Sequence, residues 1–507
     1  MQRQYLLGID FGSGASKATL LSTAGQVVAT AIKEYPTYYP QVGWAEQEPE
    51  DWYTALRDNF REIVAKTGIA PDAVAAVALD AATHTGVLLD EEFRVLRRAI
   101  FWTDQRSRTQ AAELKRQYGA RIFELAYHQP DPIWTLPQLR WVKENEPEVW
   151  AKTAWLLFVK DYVRYRLTGQ YVTDRIEALG SMLLDAQKTE WSPELCAMAG
   201  FPVAALPKLV EPTDVVGSIS PKAAKETGLS ESTLVVAGTT DTVMEILGAG
   251  AIRPGQATVK LATAGRICAI TDRAYPHPQL VNYPHVLPGL WYPGTATKAC
   301  AASYRWYRDV LGKYETDEAA KTGSNAYELM DRAAVEIVPG SEGLFYHPYL
   351  LGELTPYADP CLRGSFTGIT AHHTKAHFNR AVLEGVAYSL RDCIGVLSNL
   401  GVRMDEFRII GGGARSAVWR QIVSDVLGIA VLKVETDDSS FGAAMLAGVG
   451  AGLFAGFDEA VARCVRTASL TEPNEMNHRQ YERLFPIYKE IHDGLAPVYH
   501  KLAAMDG

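Results

Sequence analysis

Apolar runs interrupted by small-residue turns dominate the opening of the chain. YLLGID is apolar up to Asp10, GSGAS is a turn-forming cluster, KATLLS predicts a second strand, and VVATAIKEY a third after a tight Ala-Gly turn. From Glu50 to Thr67 the spacing becomes helical and puts Trp52, Leu56, Phe60 and Ile63 on one side. AVAAVALDAAT then reads as a buried strand, with GVLLD close behind it. Strands interleaved with longer helices predict an α/β chain built on a central mixed sheet.

A comparable unit begins near residue 257, where ATVKLATAGRICAIT is again a strand, a small-residue turn and a strand. The loops at 12–16 and 262–265 lie about half the chain apart, as a duplicated α/β unit would place them. The glycine-rich stretch Gly248 to Gly255 is the expected boundary, giving domains of 1–250 and 251–507. Further on, RIIGGGARSAVWRQIVSDVLGIAV predicts strand, glycine turn, helix and strand. Glycines there let backbone approach a ligand at a helix N-terminus, although a plain strand-to-helix turn also favours glycine. Ser439 to Phe457 is the longest uncharged stretch, and its glycines and alanines point to a buried helix rather than a membrane span.

Composition narrows the class. The chain has 507 residues, 47% hydrophobic and 21% charged, which excludes disorder and leaves room for more than one domain. Lys+Arg 50 against Asp+Glu 59 gives a formal charge of −9, which argues against a nucleic-acid binder. Six cysteines without a C-x-x-C pair fit reduced thiols, and the expected setting is a soluble cytoplasmic protein with no membrane association.

Four acids close apolar strands or sit in small-residue turns: Asp10, Asp104 in FWTDQR, Asp174 in YVTDR and Asp241 after VVAGTT. In open α/β sheets ligands collect at strand carboxyl ends, where an acid can serve as base or metal ligand, or simply as turn former and helix cap. Asp241, among small polar residues at a helix start, fits a plain cap least well. His84, flanked by Thr83 and Thr85, ends a buried strand, and no second histidine lies at zinc-ligand spacing from it.

Together these segments resemble the FGGY family of carbohydrate kinases. GIDFGSGASKATLL is similar to the family's opening phosphate loop. GSFTGITAHHTKAHFNRAVLEGVAYSL is similar to its C-terminal signature, and GGGARS with FGAAMLAGVGAG to its adenosine loop and a following helix. The resemblance implies two actin-like (ribonuclease H-like) ATPase domains with a catalytic cleft between them. The implied reaction is ATP-dependent phosphorylation of a sugar hydroxyl with Mg²⁺, and the implied assembly is a homodimer. By position, Asp241 matches the general base and Asp10 the acid that orients Mg²⁺. Gly12, Ser13 and Lys17 fall on the first phosphate loop, Thr263 and Gly265 on the second. Gly412, Gly413, Ala414 and Ser416 fall on the adenosine side, and Thr83, His84, Trp102 and Asp104 on the sugar side. THTGVLLD, RRAIFWTDQRSR and HPYLLGELTP resemble members that convert D-xylulose to D-xylulose 5-phosphate. Other ketoses or polyols (ribulose, a tetritol, glycerol), autoinducer-2, and an actin-like conformational ATPase are the alternatives. The loops depart from the family pattern at GSGAS, ATAG and GELTP, and at Gln138.

Overall fold

The computed structural model describes residues 4–505. These form two compact units, each an α/β body of its own. The first comprises the chain up to Ile252 together with Asn282–Trp291 and Thr436–Val465, and the second Arg253–Val281, Tyr292–Glu435 and the chain from Arg466.

In the first unit, β1 (Tyr5–Phe11), β2 (Ala15–Ser22), β3 (Val27–Glu34), β4 (Val74–Ala81), β5 (Val215–Ser218) and β6 (Leu234–Thr240) make a six-stranded sheet ordered β5-β6-β4-β1-β2-β3. The hairpin strands pair antiparallel, whereas β1, β4 and β6 run parallel. β4 is buried along its whole length, as expected of a strand covered on both faces. The Pro49–Thr67 helix places Trp52, Leu56, Phe60 and Ile63 in the core, the stripe that the sequence spacing predicts.

The second unit repeats this arrangement. β7 (Gln256–Leu261), β8 (Gly265–Ala269), β9 (Trp291–Ala296), β10 (Glu406–Ile410), β11 (Val431–Val434) and β12 (Thr467–Thr471) are ordered β9-β8-β7-β10-β11-β12. Here too β7, β10 and β11 are parallel, and the flanking pairs are antiparallel. Each small-residue loop therefore joins the first two strands of its own sheet. The Lys375–Asn399 helix packs Val382, Leu383, Val386 and Leu390 into this unit's core.

The Ser439–Gly450 helix is buried through Gly448 and lies against β1. A Cβ on Gly8 would stand 1.9 Å from the Ser440 carbonyl oxygen, and one on Gly442 would stand 2.0 Å from that of Met244. Only hydrogen side chains allow these approaches, which explains why a late segment belongs to the first unit. Among the described residues no helix is long and apolar enough to cross a membrane, and no disulfide joins the cysteines.

Gly8→Ala should therefore lower unfolding free energy by about 1–3 kcal/mol or more, the cost of overpacking. Gly14→Ala, whose Cβ meets nothing within 4 Å, should stay within about 0.5 kcal/mol of the parent. Urea denaturation followed by intrinsic fluorescence compares the two.

Candidate active site

Three parallel strands of the first unit end in acids or lead into them. Asp10 is near the end of β1, Asp80 pairs with it in register on β4, and Asp241 follows β6 directly. Burial and the nearby Asp241 charge push the Asp10 carboxyl well above the usual carboxylate range. Burial and the Asp10 charge do the same to Asp80. Both Asp80 carboxylate oxygens and Asp10 Oδ1 are sealed from solvent without a hydrogen-bond donor. Glu245, one turn into the Asp241–Gly248 helix, adds further negative potential. Carboxylates gathered this tightly repel one another, and oxygen-only donors of this kind suit a hard divalent cation. Asp80 was not among the residues singled out in the sequence, because inside AVALDAAT it reads as one polar position in a buried strand.

Asp241 opens its helix, and its Oδ1 accepts hydrogen bonds from Thr242 N at 2.5 Å and Thr242 Oγ1 at 3.1 Å. The strand before it is braced from below. Thr239 Oγ1 donates to Asp174 Oδ1 at 2.8 Å, and Asp174 is ion-paired to the buried Lys160 at 2.8 Å. Arg164 pairs with Asp161 at 2.9 Å in the same dry cluster. Asp174 thus serves as brace and as N-cap of the Arg175–Gly180 helix.

The first small-residue loop is held through its carbonyls. Ser13 O accepts from Gln47 Nε2 at 2.8 Å and from Thr37 Oγ1 at 3.1 Å, and Tyr35 donates to Gly12 O. The Ser13 side chain stays exposed. Lys17 lies opposite Asp10 across the hairpin, and its ammonium meets Asp438 at 2.8 Å. Asp438 also caps the Ser439–Gly450 helix.

On the segments expected to face the sugar, His84 sits in the left-handed region at φ 78. Its Nδ1 lies 2.6 Å from Gly180 O, its Nε2 3.0 Å from Thr83 Oγ1, and its ring edge packs on Trp134 at 4.4 Å. With Nδ1–H donated to the carbonyl, Nε2 is the accepting nitrogen. Trp102 Nε1 is a buried donor with no partner. Asp104 is saturated: it accepts from Ala45 N, Arg106 N, Arg106 Nε and Arg106 Nη2, and is 1% exposed. It braces the loop that carries Trp102.

In the second unit, the loop at Thr263 is stapled to a helix start. Thr263 O accepts from Cys300 N at 3.0 Å and Ala302 N at 3.2 Å, and Gly265 N donates to Thr297 Oγ1 at 3.1 Å. The loop borders a cavity of about 580 Å³ lined by Thr263, Tyr304, Asn325, Asp331, Gly412 and Ser416, among others. That volume is in the range of small-molecule sites. Ser416 caps the Ala417–Leu427 helix through Trp419 N at 3.0 Å. Gly413 has no room for a side chain, since a Cβ would meet Leu261 and Trp419 at 2.8 Å, whereas Gly412 opens onto free space. Ala414 is fully buried and does not line the cavity. Tyr304, Asn325 and Asp331 were missed because they come from two helices without a glycine signal.

Comparison with known proteins gives the chemistry its context. Residues 5–248 match the N-terminal domain of the FGGY family of carbohydrate kinases and residues 234–451 its C-terminal domain. The chain is 34% identical over 493 residues to a xylulose kinase of Bacillus subtilis, covering 96% of this chain and 97% of that one. It is 31% identical over 504 residues to a gluconokinase of the same organism, covering 98% of each. The crystal structure of xylulose kinase from Rhodospirillum rubrum superposes with a TM-score of 0.90 at 30% identity, covering 98% of this chain and 100% of that one. The acid-tipped parallel strands and the duplicated sheets thus fall inside one full-length likeness, and the chain belongs to the FGGY family of carbohydrate kinases, ATP-using enzymes that phosphorylate a sugar hydroxyl.

Proposed function

We propose that this enzyme converts D-xylulose and ATP to D-xylulose 5-phosphate and ADP, with Asp241 as the general base. The observation that carries the mechanism is the convergence of Asp10, Asp80 and Asp241 at the ends of three parallel strands. Phosphoryl transfer asks for positioning and charge neutralisation, so a base, a metal carboxylate and backbone donors suffice. Asp241, held by Thr242, takes the proton of the attacking sugar hydroxyl as the new O–P bond forms and ADP leaves.

Asp10, with Asp80 behind it, would hold the Mg²⁺; the unpartnered carboxylate oxygens fit that ion. When bound, Mg²⁺ neutralises charge on the phosphates. His84 Nε2 exchanges the Thr83 hydroxyl for a sugar hydroxyl, and Trp102 Nε1–H is a donor for one. Gly12, Ser13 and Lys17 serve the first phosphate contact, with Lys17 exchanging Asp438 for phosphate. Thr263 and Gly265 serve the second, and Gly412, Gly413 and Ser416 line the adenosine pocket with Ala414 as its backing. In this reading the first unit carries the sugar side and the second the adenosine side, and the expected division at 250/251 is corrected by Asn282–Trp291 and Thr436–Val465, which belong to the first unit. A homodimer is the proposed assembly and the cytoplasm the proposed compartment.

D-xylulose is favoured by the two xylulose kinases, and gluconate is the second reading because the gluconokinase likeness is almost as extensive. Initial rates of ADP release over a panel of ketoses, polyols and gluconate test this. D-xylulose should give the highest kcat/KM; a higher value for gluconate would replace it. Asp241→Asn should reduce kcat by roughly 10²–10⁴-fold with the ATP KM little changed, and retained turnover would remove Asp241 as the base.

The two neighbouring glycines separate pocket from packing. Gly412→Val should fold normally and raise the KM for ATP about tenfold or more while leaving the sugar KM alone, through steric intrusion into the cavity. Gly413→Val should instead lower the melting temperature, because it collides with Leu261 and Trp419.

A further inference from the structure

The GELTP segment closes on the second small-residue loop from outside the cavity. Its Glu353 is 1% exposed, and Glu353 Oε1 accepts from Lys298 N at 2.8 Å and from Leu354 N at 2.7 Å. Two residues on, Thr355 N donates to Ala296 O at 3.0 Å. Glu353 and Thr355 therefore hold the residues on either side of Thr297. The segment is itself closed, because Glu353 and Asp359 exchange both backbone hydrogen bonds at 2.9 Å.

Thr297 grips the loop at 263–265. Its backbone N donates to Gly265 O at 2.9 Å, and its Oγ1 accepts from Gly265 N at 3.1 Å. The packing is close enough to pass on a displacement: a Cβ on Gly265 would stand 2.8 Å from Thr297 Oγ1 and 3.1 Å from Cys300 Cβ. At the far end of the same turn, Cys300 N meets Thr263 O at 3.0 Å. Glu353 does not line the cavity, so its influence there passes through this turn.

Closing the hairpin explains the backbone bonds of Thr355, but not the side chain of Glu353. Lys298 lies two residues past the end of β9, where its N–H finds the Glu353 carboxyl. Burial pushes that carboxyl up to about 7, against the Leu354 and Lys298 N–H groups and the Lys298 charge. With any proton on Oε2, Oε1 accepts both bonds in either protonation state. The turn thus depends on the reach of the side chain and not on its charge.

We propose that Glu353 is a positioning residue for ATP, which fixes the turn at 297–300 and, through Thr297, the loop at 263–265 against the phosphates. The inference rests on the reading of that loop as the second phosphate contact. Misplacing a contact by about 1 Å can cost roughly 10²-fold in rate, so losing the acceptor for Lys298 N falls on phosphoryl transfer. The sugar contacts belong to the first unit and are spared.

Initial rates of the full-length enzyme over ATP, and over the best sugar of the panel, test this in three variants. Glu353→Asp, shorter by one methylene, cannot span to Lys298 N and should lower kcat/KM for ATP about tenfold or more. Its sugar KM should stay within about twofold of the parent, a split that partial unfolding does not produce. Glu353→Gln, which keeps the acceptor at full reach, should restore most of the loss. Thr297→Val, without the hydroxyl that Gly265 N needs, should show the same split. Combined with Glu353→Asp it should lose less than the product of the two, because both act on one contact. Parent ATP kinetics in Glu353→Asp beside an impaired Thr297→Val would overturn the proposal and leave the phosphate-loop reading standing. Parent kinetics in both would remove that reading too. Losses that multiply fully, or a Glu353→Gln with a tenfold ATP defect, would also overturn the proposal.

Discussion

The clearance between the Ser439–Gly450 helix and its neighbours governs the catalytic end of the first unit. Backbone reaches backbone at Gly8 on β1 and at Met244 in the Asp241–Gly248 helix, and hydrogen side chains at Gly8 and Gly442 alone permit it. One helix therefore fixes the strand that carries Asp10 and the helix that begins at Asp241. Asp438 at its start also takes Lys17. The separation of Asp10, Asp241 and Lys17 is set by close-packed contact of backbone on backbone.

Against this fixed geometry the electrostatics are deliberately unbalanced. In the interior of the first unit, Lys160, Asp161, Arg164 and Asp174 compensate one another and brace β6 through Thr239. At the strand ends, by contrast, Asp10, Asp80 and Asp241 face one another, and the first two are held above their ordinary pKa by burial and by like charge. A site in that state gains from any bound cation, because the cation relieves repulsion that folding has already imposed. Mg²⁺ and the phosphates it accompanies would be drawn there by the same field.

Much of the fold was legible because its signals are local. The strand, turn and strand at 5–22 and again at 256–269 could be read from apolar runs and small residues, and the structure makes each the opening hairpin of a sheet with matching strand order. The helix with Trp52, Leu56, Phe60 and Ile63 followed from spacing alone. Asp80 was hidden because its significance lies in its register against Asp10, a pairing between strands about seventy residues apart. Asp104 looked available in sequence, yet Arg106 and Ala45 consume its oxygens, since a carboxylate two residues from an arginine can close on it. The second-unit cavity drew Tyr304, Asn325 and Asp331 from helices with no motif to announce them.

The assignment of Thr436–Val465 to the first unit has a consequence for how the protein is made. During synthesis, β1 through β6 emerge well before the helix that covers Gly8, so the early sheet waits with an apolar face uncovered while the whole of β7 to β11 is translated. The first unit cannot complete its packing as an N-terminal fragment, and a ribosome stalled before residue 439 would present a sheet in need of a chaperone.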